Sequence, residues 1–132
     1  MMTGDKLHFI VIDDSKLDCF IAQKIIQNTN RSESIYTFQQ VSDALDHLKN
    51  LPHPSGRTVI FVDIQMPVMN GFDFVEAFEQ MPSDHKENYT IYMLSSSINE
   101  NDIARVRSYA SVKQFLNKPL TGKTMSMVLE DN

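Results

Sequence analysis

The chain has 132 residues, of which 42% are hydrophobic and 22% are charged, and its formal net charge is -5. This length is typical of one domain, and the apolar fraction is large enough for a buried core. The basic residues are scattered and form no basic stripe, so we expect no nucleic-acid partner. One cysteine excludes an internal disulfide, and no apolar run approaches the roughly 18 residues of a membrane span. We therefore expect a cytoplasmic protein without a membrane partner.

Short apolar runs alternate with helical patterns along the chain. The predicted strands, rich in β-branched and aromatic residues, are 7–12, 34–38, 58–62, 89–94 and 112–116. The predicted helices span about 17–29, 42–51, 72–81 and 99–109, and a last one follows Thr121. The polar segments 52–56 and 82–88 indicate loops. Expected helix caps are a residue of Asp13-Asp14-Ser15 for the first helix, Ser42 for the second, Ser97 or Asn99 for the fourth and Thr121 for the last.

Five strands that alternate with helices predict right-handed crossovers and one parallel sheet. We therefore expect a single α/β domain over residues 1–132, without an output domain. Helices on both faces of a five-stranded sheet fit the flavodoxin-like, doubly wound order 2-1-3-4-5. The alternation alone is also compatible with other strand orders.

Polar residues follow four of the predicted strands. Asp13 and Asp14 follow the first strand, Asp63 the third, Ser95 the fourth and Lys118 the fifth. Because the C-terminal ends of parallel strands lie along one edge of a sheet, these side chains should converge. Clustered carboxylates repel one another unless a cation lies among them, and Mg²⁺ prefers such oxygen ligands together with a phosphate oxygen. The set therefore suits a phosphoryl group on Asp63, with an aspartate as the nucleophile.

Four motifs resemble, in the expected order, the receiver domain of two-component response regulators. They are FIVIDDS (9–15), FVDIQMPVMNG (61–71), MLSSS (93–97) and FLNKPL (115–120). The resemblance, which is to the single-domain chemotaxis-regulator type, implies a phosphorylation-dependent switch and no enzymatic activity beyond its own phosphorylation and dephosphorylation. A histidine kinase or a histidine phosphotransfer protein would donate the phosphoryl group. A monomer or weak dimer would then signal to a protein target, or pass the group onward.

The resemblance assigns the acceptor and the metal ligands. Asp63 matches the phosphoacceptor aspartate, Asp14 the direct Mg²⁺ ligand, and Asp13 the acid that binds the metal through water. Gln65 occupies the position whose backbone carbonyl completes the metal site, although asparagine is frequent there.

The resemblance also assigns the residues around the phosphoryl group. Lys118 matches the lysine that pairs with the phosphate, typically followed by a cis peptide bond to Pro119. Ser95 matches the switch hydroxyl, and Phe115 the aromatic residue that changes rotamer with it. The backbone N–H groups of Ile64 and Ser96 would help to hold the phosphate.

Two other functions remain as alternatives. A pseudo-receiver would bind partners without being phosphorylated, but it has no need of the complete set of acids, hydroxyl and lysine. A magnesium-dependent phosphohydrolase with Asp63 as nucleophile would need a general acid two residues later, where Gln65 stands, and a cap domain. Taken alone, Asp13 and Asp14 could simply favour a helix N-terminus, and Phe115 could be an ordinary packed aromatic.

Overall fold

The computed structural model describes residues 6–50, 57–82, 86–97 and 99–132. In chain order, the elements of these residues are β1 (Leu7–Ile12), α1 (Lys16–Gln27), β2 (Ser32–Phe38), α2 (Val41–Asn50), β3 (Thr58–Asp63), α3 (Gly71–Glu79), β4 (Tyr89–Ser95), α4 (Glu100–Arg107), β5 (Val112–Asn117) and α5 (Gly122–Asp131). The predicted loop 52–56, the helix end at Leu51 and part of the loop 82–88 lie outside the described residues. Within them, no helix is long and apolar enough to cross a membrane.

All strand pairs in the sheet are parallel, and the strand order is β2-β1-β3-β4-β5. This confirms the predicted fold class and strand order. Every residue of the central strand β3 is buried, as expected for a strand that is covered on both faces. Because neighbouring side chains of a strand point to opposite faces, Ile60 and Val62 pack toward α2, α3 and α4, whereas Val59 and Phe61 pack toward α1 and α5.

Helix α1 forms where the apolar spacing predicted it, but it buries a different face. The helical spacing of Leu17, Phe20, Ile21 and Ile25 predicts that these residues face the core, but Leu17 and Phe20 are 65% and 56% exposed. The buried face consists instead of Cys19, Ala22 and Ile26, which pack in the core on the α1 and α5 side of the sheet. The thiol of Cys19 donates to the carbonyl of Asp13 at 3.3 Å, and burial raises the pKa of this thiol to about 11.

Most helices begin at the predicted polar caps. Ser15, within the predicted stretch Asp13-Asp14-Ser15, caps α1, Thr121 caps α5, and Asn99, one of the two alternatives, caps α4. The predicted cap at Ser42 is wrong, because α2 begins one residue earlier, at Val41. Val41 is buried in the core, and this packing draws it into the first turn of the helix.

Candidate functional site

Three carboxylates meet where β1 and β3 end. Asp13 and Asp14 directly follow β1, Asp63 is the last residue of β3, and these strands are neighbours in the sheet. One carboxylate oxygen from each residue lies within 4.8 Å of the other two. Asp13 and Asp63 are buried, whereas Asp14 is exposed. A set of oxygen ligands that opens to solvent on one side suits Mg²⁺, which keeps several of its water molecules.

Lys118 supplies positive charge from the end of β5. Its Nζ lies 2.7 Å from Asp13 Oδ2 and 3.4 Å from Asp63 Oδ2. Its backbone N–H donates to the carbonyl of Ser95 at 2.9 Å, and the peptide bond to Pro119 is cis, as the resemblance implied. Burial lowers the pKa of the Lys118 ammonium, but hydrogen bonds to its acidic partners outweigh burial and raise this pKa above the usual value. The lysine is therefore held in its charged form.

A further acid contacts the same lysine, and sequence reasoning missed it. Asp18 Oδ2 in the first turn of α1 lies 2.7 Å from Lys118 Nζ. Ser15 and Asp18 have the spacing of a capping box, in which the acid would accept the N–H of the cap residue. Here Ser15 Oγ accepts the Asp18 N–H at 3.1 Å, but the Ser15 N–H donates to Asp13 Oδ1 at 2.9 Å. The Asp18 carboxylate can therefore extend to the lysine.

The environment of Asp63 combines burial with two polar contacts. Burial raises the pKa of its carboxyl group, although the charge of Lys118 opposes this shift. The N–H of Gln65 donates to Asp63 Oδ1 at 3.2 Å. The N–H of Ile64 donates instead to the carbonyl of Leu94 at 2.8 Å. The phosphate contact predicted for Ile64 therefore requires that this hydrogen bond be shared or broken.

The remaining predicted residues lie on β4, directly after β4 and on β5. Ser95 is buried, and its Oγ accepts the N–H of Ser97 at 3.2 Å. Ser96 lines a cavity of about 250 Å³ that also contacts Lys118. Phe115 is half-buried beside the core on the α2, α3 and α4 side of the sheet. The switch roles of Ser95 and Phe115 remain predictions.

The loop after Asp63 turns tightly so that α3 can begin beside the site. Val68 has a φ of 67° at the centre of a turn in which the Met69 N–H donates to the carbonyl of Pro67 at 2.8 Å. This is a γ-turn with a rare backbone conformation. A Cβ on Gly71, the first residue of α3, would lie 2.6 Å from the backbone oxygen of Asp63. The close approach therefore requires glycine.

Comparison with known proteins identifies the family. A family model for the response regulator receiver domain matches residues 9–130. The chain belongs to this family. A response regulator receiver protein from Dyadobacter fermentans is similar to this receiver domain, with 30% sequence identity and a TM-score of 0.86, over 95% of this chain and 96% of that one. A two-component response regulator from Cytophaga hutchinsonii has 27% identity and a TM-score of 0.86, over 96% of each chain.

More distant structures share the fold of this receiver domain. The chemotaxis response regulator CheY4 of Vibrio cholerae has 24% identity and a TM-score of 0.75, over 96% of this chain and 98% of that one. Among curated protein sequences, none matches the chain. The predicted resemblance to receiver domains is thus confirmed, and the acidic pocket fits the phosphorylation site that the family implies.

Proposed function

We propose that this receiver domain is a phosphorylation-dependent switch that accepts a phosphoryl group on Asp63 from a histidine kinase or a histidine phosphotransfer protein. The observation that carries the proposal is the convergence of the oxygens of Asp13, Asp14 and Asp63 within 4.8 Å, with Lys118 beside them. An Asp63 oxygen would bond to the phosphorus of a phosphohistidine. The phosphorus–nitrogen bond would break, and its electron pair would remain on the imidazole.

Residues of this site suit Mg²⁺, and the proposal includes the metal. Asp14 and Asp63 would bind it directly, Asp13 would bind it through water, and the carbonyl of Gln65 would complete the set. Bound Mg²⁺ supplies positive charge that offsets the negative charge of the phosphoryl oxygens. Lys118 contributes a second positive charge and orients the phosphoryl group.

Phosphorylation would change the charge balance of the site. A phosphorylated side chain carries about -1.5 to -2 charge at neutral pH, which exceeds the single negative charge of the carboxylate that it replaces. This charge would attract the ammonium of Lys118 and the hydroxyl of Ser95, which now contacts the N–H of Ser97. The movement of Ser95 would make room for Phe115 in β5 to change rotamer. The altered face of α4, β5 and α5 would then bind a protein target, unless the phosphoryl group is passed onward.

The way α4 is attached supports a role in this change. Val106 is the buried residue of α4, and the polar groups that link this end of the helix to Glu76 in α3 are exposed. Arg105 donates to Glu76 Oε2 at 3.1 Å and lies 4.1 Å from the centroid of the Phe72 ring, while the Tyr109 hydroxyl also donates to Glu76. Few buried contacts and many exposed ones are typical of an element that can shift at low cost.

The test is the intact mass of the protein after incubation with acetyl phosphate and Mg²⁺. We expect one phosphoryl adduct on the wild-type protein, and none on Asp63→Asn or when a chelator removes Mg²⁺. Asp43→Asn, which removes an acid from the first turn of α2, is the matched control and should form the adduct normally. A wild-type protein that forms no adduct, and does not respond to beryllofluoride, would contradict the proposal and favour the non-phosphorylated binding module.

A further inference from the structure

The lysine of the site is not centred on the acceptor aspartate. Lys118 Nζ lies 2.7 Å from a carboxylate oxygen of Asp13 and 2.7 Å from one of Asp18, but 3.4 Å from the nearest oxygen of Asp63. Asp13 directly follows β1, and Asp18 lies in α1. Two acids on the α1 side therefore hold the ammonium more closely than the residue that would carry the phosphoryl group.

We propose that Asp18 is a positioning residue that holds the Lys118 ammonium on the α1 side of the site and competes with the phosphoryl group for it. This inference rests on the proposed function of Asp63. Of the two close partners, Asp13 is buried, whereas the Asp18 side chain is 39% exposed. Water can therefore solvate the Asp18 carboxylate when the lysine leaves it, so the loss of this ion pair costs less free energy than the loss of the ion pair with Asp13.

Charge gives Asp18 a second effect on the same chemistry. Among the described residues, three carboxylates (Asp13, Asp18 and Asp63) form ion pairs with the Lys118 ammonium, and a fourth, Asp14, lies beside Asp13 and Asp63. When a divalent cation is bound, these four carboxylates, the ammonium and the cation together carry one net negative charge. Replacing Asp18 by a neutral residue removes that net charge. Nearby negative charge repels an anionic phosphoryl donor and attracts a cation. Asp18 should therefore strengthen Mg²⁺ binding and slow phosphorylation.

The other role of an acid in the first turn of a helix is to stabilise the helix dipole. That role needs no lysine, and Asp43 can play it in α2. The contact with Lys118 is what distinguishes Asp18, because the ion pairs of this lysine join it to Asp13, Asp18 and Asp63. Asp43→Asn is therefore the control for a general effect of removing an acid from a helix start.

The experiment compares wild type, Asp18→Asn, Asp18→Glu and Asp43→Asn. The first measurement is the rate of adduct formation with acetyl phosphate at saturating Mg²⁺. In this reaction an Asp63 oxygen bonds to phosphorus, the bond from phosphorus to the acetate oxygen breaks, and acetate leaves with the electron pair. The second measurement is Mg²⁺ affinity by calorimetry, which needs no phosphorylation.

We expect Asp18→Asn to form the adduct faster and to bind Mg²⁺ more weakly, each by about two- to fivefold, which is the range for a partly exposed ion pair. Asp18→Glu, which keeps the charge, and Asp43→Asn should stay close to wild type. Slower or unchanged adduct formation in Asp18→Asn would overturn the inference and leave the proposed function standing. If the wild-type protein forms no adduct and does not respond to beryllofluoride, the proposed function fails and the inference fails with it. An unchanged Mg²⁺ affinity in Asp18→Asn would overturn the inference alone.

Discussion

Helix α1 follows β1 with the cap Ser15 and the acid Asp18 three residues later, and α3 follows β3 with Asn70 and Asp73 in the same spacing. In α3 the capping box is complete. Asn70 Oδ1 accepts the Asp73 N–H, and Asp73 Oδ2 accepts the Asn70 N–H, both at 2.9 Å. In α1 the box is half formed, and its acid contacts Lys118 instead.

The difference shows that one sequence pattern can serve two purposes on neighbouring sides of a site. On the α3 side, the acid satisfies a backbone N–H, which fixes the start of the helix. On the α1 side, Asp13 accepts the N–H of the cap residue, so the acid of the helix can bind Lys118, which directly follows β5. We expect substitutions on the α3 side to alter stability, and substitutions on the α1 side to alter the chemistry of the lysine.

The largest expected effect is that of Gly71→Ala at the start of α3. The new Cβ would lie 2.6 Å from the backbone oxygen of Asp63 and 3.0 Å from the Cα of Ile64. Since both are backbone atoms, the strand end and the helix must separate, which should reduce the free energy of unfolding by about 1–3 kcal/mol. Urea unfolding measures this loss, and the displaced Asp63 should also form its adduct more slowly.

Gly122→Ala is the matched control, because Gly122 begins α5 and its Cβ would meet no atom within 4 Å. This variant should be neutral or more stable by up to about 1 kcal/mol, since alanine favours the helix. Equal losses in both variants would show that the close approach of α3 to the site is not what Gly71 provides.

We expect a smaller difference in the free energy of unfolding between Asp73→Ala and Asp18→Ala. Asp73→Ala removes the acceptor of the Asn70 N–H, so we expect a loss of about 1 kcal/mol in the free energy of unfolding. Asp18→Ala keeps the bond from its backbone N–H to Ser15 and removes only a partly exposed ion pair, so its loss should be below about 0.5 kcal/mol. Urea unfolding at neutral pH compares them, and a larger loss in Asp18→Ala would mean that its carboxylate serves the fold.

Local sequence pattern predicted the strands, the helices and the polar residues at the strand ends of this domain, although the pattern alone left other strand orders open. Buried runs such as 58–62 located the strands, and the polar residues after them located the site, because parallel strands end at one edge. The prediction from sequence was wrong or incomplete where two patterns overlap in the first helix. Leu17 and Phe20 share helical spacing with the smaller Cys19 and Ala22, and contact with the sheet decides which face is buried. Asp18 was missed because its spacing from Ser15 also fits a local cap.

The smallest expected effect is the contribution of the Asp63 carboxyl group to the pH dependence of the free energy of unfolding. Burial raises the pKa of Asp63 above its usual 3.8, against the charge of Lys118. Between the unfolded pKa of 3.8 and the higher folded pKa, the folded state therefore binds more protons than the unfolded state. This carboxyl group stabilises the fold most below pH 3.8, and it loses that contribution as the pH rises through the folded pKa. In metal-free buffer, Asp63→Asn should be more stable than wild type at pH 7, and the gain should disappear as the solution is acidified.

The increase in the free energy of unfolding that Asp63→Asn causes at pH 7 also measures how firmly the α1 side holds the lysine. In Asp18→Asn, Lys118 loses one of its two closest partners and should move toward Asp63, which would favour the charged carboxylate and lower its pKa. Adding Asp63→Asn to that background should therefore increase the free energy of unfolding at pH 7 by less than it does in wild type. An equal or larger increase in the double variant would mean that Asp18 does not draw the lysine away from the acceptor, and the contrast between the starts of α1 and α3 would then be one of helix capping alone.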